Sequence, residues 1–322
     1  SPSLDMTKVV ERKNHVVETL RQGIQGLLKN PLITLVQGKA VLVDAHTVHV
    51  EQTEGETDYN AENIIIATGS VTKFLPVPGA HLPKVLTSTE MLNLTEVPKR
   101  LCIVGGGVIG MEFASIFNAF GSEVTVLEYC KEILPNLDSD IAKRLRLALK
   151  AQGIHIFPGA QVTAIKETAG GYATSYLMKE KEEQVEADIV LMAVGRGPNL
   201  DALNLDAVNI ANDKRGIVTD KDFRTNVPNI FAIGDINGKC QLAHAASFQG
   251  KHVINVIKGK KDKICFDIIP SAVFTTPEMA SVGVSSDYCK ANGISAVTHK
   301  ASFRANGKAL AMNEADGILK LL

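Results

Sequence analysis

The chain has 322 residues, 45% hydrophobic and 21% charged, an ordinary globular composition with length enough for two domains. A formal net charge of -1 and an isoelectric point near 6.7 leave no electrostatic footprint for nucleic acid or an anionic membrane, so neither is an expected partner. No apolar run approaches the roughly 18 residues of a membrane span, and residues 1–29 are too charged for a secretory signal, so a soluble intracellular protein is expected.

In chain order, Val9, Val10, Val16, Val17, Leu20, Ile24, Leu27 and Leu28 recur at three- and four-residue steps. They predict one amphipathic helix, stopped by Asn30-Pro31 and expected to lie on a sheet. Strand-like runs follow at 32–36, 40–43 and 47–50, and Asn63-Ile-Ile-Ile-Ala-Thr-Gly-Ser70 reads as a buried strand ending in a small-residue turn. A proline-rich linker at 74–83 leads into Arg100-Leu-Cys-Ile-Val-Gly-Gly-Gly-Val-Ile-Gly-Met-Glu-Phe-Ala114. That run combines a short apolar strand, a glycine turn and a helix start. Gly105, Gly107 and Gly110 have the G-x-G-x-x-G spacing: the first permits the tight turn, the second lets a pyrophosphate approach the backbone, and the third lets helix pack on strand. A second strand, 123–127, ends in Glu128, placed to accept from an adenosine ribose 2′-hydroxyl and to repel a 2′-phosphate. NAD is therefore expected in preference to NADP.

A helix is predicted over 139–152, capped by Asp138 or Ser139, followed by short strands that end at Ile189-Val-Leu-Met-Ala-Val-Gly195. Pro228-Asn-Ile-Phe-Ala-Ile-Gly-Asp235 is another apolar strand, ahead of a helix over 243–258. Its Gly-Asp end is by itself turn chemistry, although ligands of open α/β sheets do sit at strand carboxyl ends. From Ser271 the pattern changes to strands at 272–275 and 281–284, a helix over 286–292 and a strand-like end at 317–322, which reads as an incomplete sheet. Cys102, Cys130, Cys240, Cys265 and Cys289 are scattered and read as reduced thiols, and the eight histidines form no metal-ligand cluster, so no metal is expected.

Ile-Ile-Ile-Ala-Thr-Gly-Ser70, Gly-Gly-Gly-Val-Ile-Gly-Met-Glu112, Ala-Val-Gly-Arg-Gly-Pro198, Thr-Asn-Val-Pro-Asn-Ile-Phe-Ala-Ile-Gly-Asp235, Leu-Ala-His244 and Ile-Pro-Ser-Ala-Val-Phe-Thr-Thr-Pro-Glu278 occur in this order. Together they resemble the dihydrolipoamide dehydrogenase family of pyridine nucleotide-disulfide oxidoreductases. The resemblance implies an α/β fold: a Rossmann-like FAD domain interrupted by a Rossmann-like NAD domain, followed by a partial α+β interface domain. The implied division is 1–73 for the first FAD part, 74–98 for a linker, 99–222 for the NAD domain, 223–266 for the second FAD part and 267–322 for the dimerisation domain.

Carried over motif by motif, the resemblance implies that Gly38, Thr68, Gly69, Ser70, Asp235, Leu242, Ala243 and His244 meet FAD, with Asp235 on the ribityl chain. It implies that Gly105, Gly106, Gly107, Val108, Ile109, Gly110, Glu112, Glu128, Val162 and Gly195 line the NAD site, Glu112 in a supporting role beside nicotinamide and flavin. The family's own FAD G-x-G-x-x-G, its C-x-x-x-x-C redox pair and its His-Pro…Glu segment are not found in this sequence, and the pattern softens at Gly197 and Thr276. The chain is therefore expected to be the central and C-terminal part of such an enzyme, with no catalytic thiol or base of its own and no turnover alone. Implied partners are a second copy, lipoyl domains and the acyltransferase core of 2-oxo acid dehydrogenase complexes, in a bacterial cytoplasm or alternatively a mitochondrial matrix. The rival expectations are another flavoprotein disulfide reductase or NADH oxidase of the superfamily, and a non-catalytic NAD-binding fragment.

Overall fold

The computed structural model describes residues 4–201 and 203–322. The chain forms two compact units: one takes it up to Lys73 and again over Arg196–Phe266, the other takes Phe74–Gly195 and Asp267–Leu322. Segment 196–222, expected with the dinucleotide domain, thus packs with the first unit. The reason is local: Arg196–Pro198 pairs antiparallel with Ser70–Thr72, and Leu203, Leu205, Val208, Ile210 and Ile217 fill a core with Ile64, Ile66, Ile230 and Ala232.

The second unit is built on a five-stranded parallel sheet in the spatial order Val85–Leu86, Ile189–Met192, Arg100–Val104, Glu123–Glu128, His155–Pro158. Strands buried on both faces read as unbroken apolar runs, and Leu101 to Val104 are almost wholly excluded from solvent. Helix Val108–Ala119 lays Met111, Ala114 and Phe117 on one face of the sheet, and helix Ser139–Ala151 adds Ala142, Leu145 and Leu149 to the same core. A three-stranded antiparallel sheet, Gln161–Thr168, Gly171–Met178 and Lys181–Ala187, contributes Val162, Tyr172 and Tyr176 to a core shared with Val104, Leu127 and Met192.

The C-terminal segment joins this unit through Val273 and Met279 of the Ser271–Val273/Met279–Ser281 hairpin, which pack in the core of helix Val108–Ala119. It is also tied by a polar cluster. Asp138 caps helix Ser139–Ala151 and accepts from both Ser286 backbone N–H and Oγ, while Asp287 accepts from Ser139 N and Oγ. Lys320, on strand Ile318–Leu321, has a side chain only 6% exposed and places its ammonium 2.8 Å from Asp138 and 3.1 Å from Asp140. Burial works to raise the Asp138 carboxyl, but hydrogen bonds from Lys320 and Ser286 and the lysine charge outweigh it and hold the group at about 2.

In the first unit, Lys39–Leu42, Thr47–Gln52 and Gly55–Asn60 form an antiparallel sheet, and Ile64–Ile66 pairs in parallel with Ile230–Ala232. Helix Met6–Leu28 forms as predicted, with Asp5 as its cap, but it does not lie on a sheet: Met6 is its one buried residue among those described, and Leu27 is 75% exposed. The three-stranded sheet of this unit is small, and its strand Gly55–Asn60 is exposed along its whole length. Residues 32–36 form no strand either. Asn30 closes a turn there, its side chain accepting from Leu32 N and its carbonyl from Ile33 N, and Leu32 is left 93% exposed with no strand to pair with. Among the described residues, no helix is long and apolar enough to cross a membrane.

Candidate functional site

In the second unit the dinucleotide motif has the geometry its spacing predicts. Gly105 lies at φ +113, and a Cβ there would overlap the Ala193 carbonyl of the neighbouring strand. A Cβ on Gly110 would overlap the Gly105 carbonyl, so the third glycine sets how closely the helix meets the strand. At Gly107 the opposite holds: nothing lies within 4 Å of the Cβ position, and this residue caps the helix without any side-chain hydrogen bond. Val108, Ile109 and Gly110 therefore begin a helix whose first turn has open space and a partial positive charge before it, which suits a diphosphate.

Glu128 ends the next strand with its side chain buried against the turn. Its Oε2 accepts from Gly106 N at 2.5 Å and its Oε1 from Cys130 N at 2.6 Å. A Cβ at Gly106 would stand 3.0 Å from the Glu128 carboxylate and its Cβ, so the bare backbone of Gly106 gives the acid its place. Fixed from both sides, the carboxylate retains lone pairs for a ribose hydroxyl. A pyridine dinucleotide fits these residues. Burial, with the neighbouring Glu128 carboxylate, pushes the Cys130 thiol upward, which disfavours its thiolate. Val162 lies in the core beneath the ends of the same strands, Gly195 sits at φ +101, and Glu112 accepts from Phe274 N at 2.9 Å.

In the first unit Thr68, Ser70 and Asp235, of the expected flavin residues, lie beyond the ends of strands Ile64–Ile66 and Ile230–Ala232. Ser70 Oγ donates to Asp235 Oδ2 at 2.5 Å, and Thr68 Oγ1 donates to the Asn199 carbonyl. Asp235 lies on a short 3-10 turn, Gly234–Asn237, clamped by the buried Gln249, whose Oε1 accepts from Gly234 N at 2.8 Å and Asn237 Nδ2 at 2.9 Å. Leu242 caps helix Ala243–Ile257 with no side-chain hydrogen bond, leaving its first turn to accommodate an electron-rich group, with His244 exposed on that turn. Gly38 passes tight against Glu51 and Val50, which accounts for its lack of a side chain without reference to a ligand. A polyol bearing hydroxyl donors fits the Ser70–Asp235 end, and the helix start fits the acceptor edge of a flavin ring.

Sequence reasoning missed Gln249, Asn199 and Arg196. Arg196 Nε donates to Ser70 Oγ at 2.7 Å and Nη2 to the Ser70 carbonyl at 2.5 Å. Its only signal was its place inside Ala-Val-Gly-Arg-Gly-Pro198. The five cysteines are free, and the described residues contain no group of three His, Cys, Asp or Glu side chains able to hold a metal.

Comparison with known proteins agrees with this geometry. Residues 1–250 match the pyridine nucleotide-disulphide oxidoreductase family, and residues 269–322 match the dimerisation domain of the same family. The chain is 42% identical over 322 residues to dihydrolipoyl dehydrogenase of Bacillus subtilis, covering 99% of this chain and 68% of that protein. It is 42% identical over 325 residues to dihydrolipoyl dehydrogenase of Chlamydia muridarum, with the same coverages. Among solved structures it resembles the HOCl-induced flavoprotein disulfide reductase RclA of Escherichia coli, with TM-score 0.87, 32% identity, and coverage of 98% of this chain and 72% of that one. LpdA of Mycobacterium tuberculosis superposes with TM-score 0.90 at 26% identity, over 99% of this chain and 71% of that one. With a glycine turn holding a buried acid, and with matches over nearly its whole length, the chain belongs to the pyridine nucleotide-disulphide oxidoreductase family.

Proposed function

We propose that this chain carries the NAD-binding and flavin-anchoring parts of a dihydrolipoyl dehydrogenase, a flavin-dependent oxidoreductase that oxidises protein-bound dihydrolipoyl groups with NAD as acceptor. The observation that carries the reading is Glu128, an acid held by Gly106 and Cys130 backbone N–H groups at the glycine turn of a chain 42% identical to dihydrolipoyl dehydrogenase of Bacillus subtilis. When bound, FAD supplies the ring that passes an electron pair between a dithiol and the nicotinamide.

The chain's own residues bind and orient. Gly105, Gly106, Gly107, Val108, Ile109 and Gly110 receive the dinucleotide's diphosphate on a helix start. Glu128 holds the ribose and rejects a 2′-phosphate. Val162 and Gly195 border that site, and Glu112 supports it from the first turns of the helix. Gly38, Thr68, Gly69, Ser70 and Asp235 anchor the flavin nucleotide, and Leu242, Ala243 and His244 bring a helix N-terminus to the ring. None of the five cysteines forms a C-x-x-x-x-C pair, so the thiol chemistry and its base are not assigned to these residues. The match of residues 269–322 to a dimerisation domain supports a homodimer. In that setting the partners are lipoyl domains and the acyltransferase core of a 2-oxo acid dehydrogenase complex, in a bacterial cytoplasm.

The test is a pair of calorimetric titrations with NADH and NADPH, run beside NADH formation from dihydrolipoamide with FAD supplied. NADH should bind the more tightly, and a polypeptide of these 322 residues should bind it without turning over dihydrolipoamide. Tighter binding of NADPH overturns the cofactor assignment, and turnover overturns the assignment of thiol and base elsewhere.

A further inference from the structure

We infer that the ion pair between Arg146 and Glu132 positions the glycine turn for the dinucleotide's diphosphate, acting through the loop that carries Leu134. The inference rests on the dinucleotide reading above and deepens it. The peptide joining Gly106 to Gly107 is planar and trans, so its C=O and N–H point in opposite directions. Leu134 N donates to the Gly106 carbonyl at 2.9 Å. The Gly107 N–H belongs to the same plane and so points away from the loop, at a residue with nothing within 4 Å of its Cβ position and no side-chain cap. Whatever sets Leu134 therefore sets the direction of that N–H.

Leu134 does not hold its place unaided. It lies at φ +50, in the left-handed region that a residue other than glycine keeps only where its surroundings impose it. Ile133 and Leu134 are buried in a core with Met111 and Leu145, which fixes the depth of their side chains and not the direction of a backbone N–H. That direction is set just before them. Glu132 Oε1 accepts from Ile133 N at 3.0 Å and from Arg146 Nε at 2.7 Å, and its Oε2 accepts from Arg146 Nη2 at 3.0 Å. The two side chains are only 17% and 19% exposed, so water screens the pair little. Two parallel bonds from a planar fork fix orientation as well as distance. Arg146 stands on helix Ser139–Ala151, so the loop takes its reference from a helix packed in the same core. Gly159 N donates to the Cys130 carbonyl at the loop's start. Of the holds at 130, 132 and 134, only the middle one is an ion pair that substitution can remove.

The experiment compares calorimetric affinities for NADH and for ADP-ribose, which keeps the diphosphate and lacks the nicotinamide, in the chain, in Arg146→Gln and in the Glu132→Leu/Arg146→Leu double variant. Hydrogen exchange across residues 128–137, followed by mass spectrometry, and urea unfolding accompany each titration. Arg146→Gln should weaken both ligands about fivefold, the lower end of the coupling carried between linked sites. Exchange across the loop should quicken with it. Replacing a buried ion pair by apolar side chains is often neutral for stability. The double variant should therefore unfold at the urea concentration of the unaltered chain and still show weakened binding and faster exchange. A pair that only stabilised the fold would give back affinity together with stability. Unchanged affinity in Arg146→Gln, weaker binding without faster exchange, or full affinity in the double variant each overturns the inference and leaves the dinucleotide reading intact. If Arg146→Gln does not fold, the double variant decides. If the unaltered chain binds neither NADH nor ADP-ribose, the dinucleotide reading and this inference fall together.

Discussion

The glycine turn and the Gly234–Asp235 turn are made from similar parts, a buried parallel strand running into a small-residue turn and then a helix start, but they are held in different ways. Most of what shapes the first lies between Arg100 and Glu128, with the Ala193 carbonyl as a wall and backbone N–H groups of Cys130 and Leu134 closing it from just beyond. The second is assembled from residues 68–70, 196–199, 234–237 and 249, which only the fold brings together. A site carried by one supersecondary unit is fixed by steric fit of backbone against backbone. A site gathered from distant segments is fixed by side-chain hydrogen bonds, and so should fail more gradually when one is removed.

Steric fit gives the largest expected effect. Gly110→Ala should destabilise the second unit by about 2–3 kcal/mol, because its methyl overlaps the Gly105 carbonyl and the helix must move off the strand. Urea unfolding checks the stability, and NADH titration should show the site lost in parallel. A neutral Gly110→Ala would remove the basis for calling this site backbone-determined.

Next comes the polar tie between the dinucleotide sheet and the C-terminal segment. Asp138 is held at about 2 against its ordinary 3.8, so its contribution is whole above about pH 4 and is lost as the pH falls towards 2. The loss is on the order of 2 kcal/mol. Lys320→Met should shift acid unfolding, followed by circular dichroism, to higher pH, and an unchanged acid limb would show that Lys320 is not what holds Asp138.

Glu128→Ala should weaken NADH binding by about 1–2 kcal/mol and narrow the NADH over NADPH preference. It also strips Gly106 N and Cys130 N of their acceptor. The smallest stability change is expected for Gly107→Ala, within about 0.5 kcal/mol, because the space there is open. Its NADH affinity should nevertheless fall, since that space is where the diphosphate would lie. If binding survives Gly107→Ala, the diphosphate does not approach the backbone at this point.

The contrast also explains what could be read from the chain alone. The strand, turn and helix of 100–114 and the acid at Glu128 were legible because local spacing dictates them, as were the helix after Asp138, whose cap was left open between Asp138 and Ser139, and the helix over 243–258 to within a residue. Glu128's grip on Gly106 N was not, since the second glycine of the three looks like a variable position of the motif until the carboxylate is seen beside it. Arg196 and Gln249 were hidden for a different reason. Their partners are set by strand pairing and by a clamp across a helix, neither of which leaves a periodic trace. The covering expected for helix Met6–Leu28 failed because an apolar stripe states that a face suits burial, not what buries it.

The antiparallel pair of Ser70–Thr72 with Arg196–Pro198 has a consequence for how such a chain can be taken apart and rebuilt. Thr72 and Arg196 are register partners, so the 123 residues between them leave and re-enter one hairpin-like junction. Whatever occupies that interval has its two ends already clasped side by side by a ladder belonging to the host. The entropy of bringing them together is thus met outside the insert. A short turn joining Thr72 to Arg196, or another fold whose termini lie equally close, would keep the strand register on either side, at the cost of the core that Val273 and Met279 of the C-terminal segment fill.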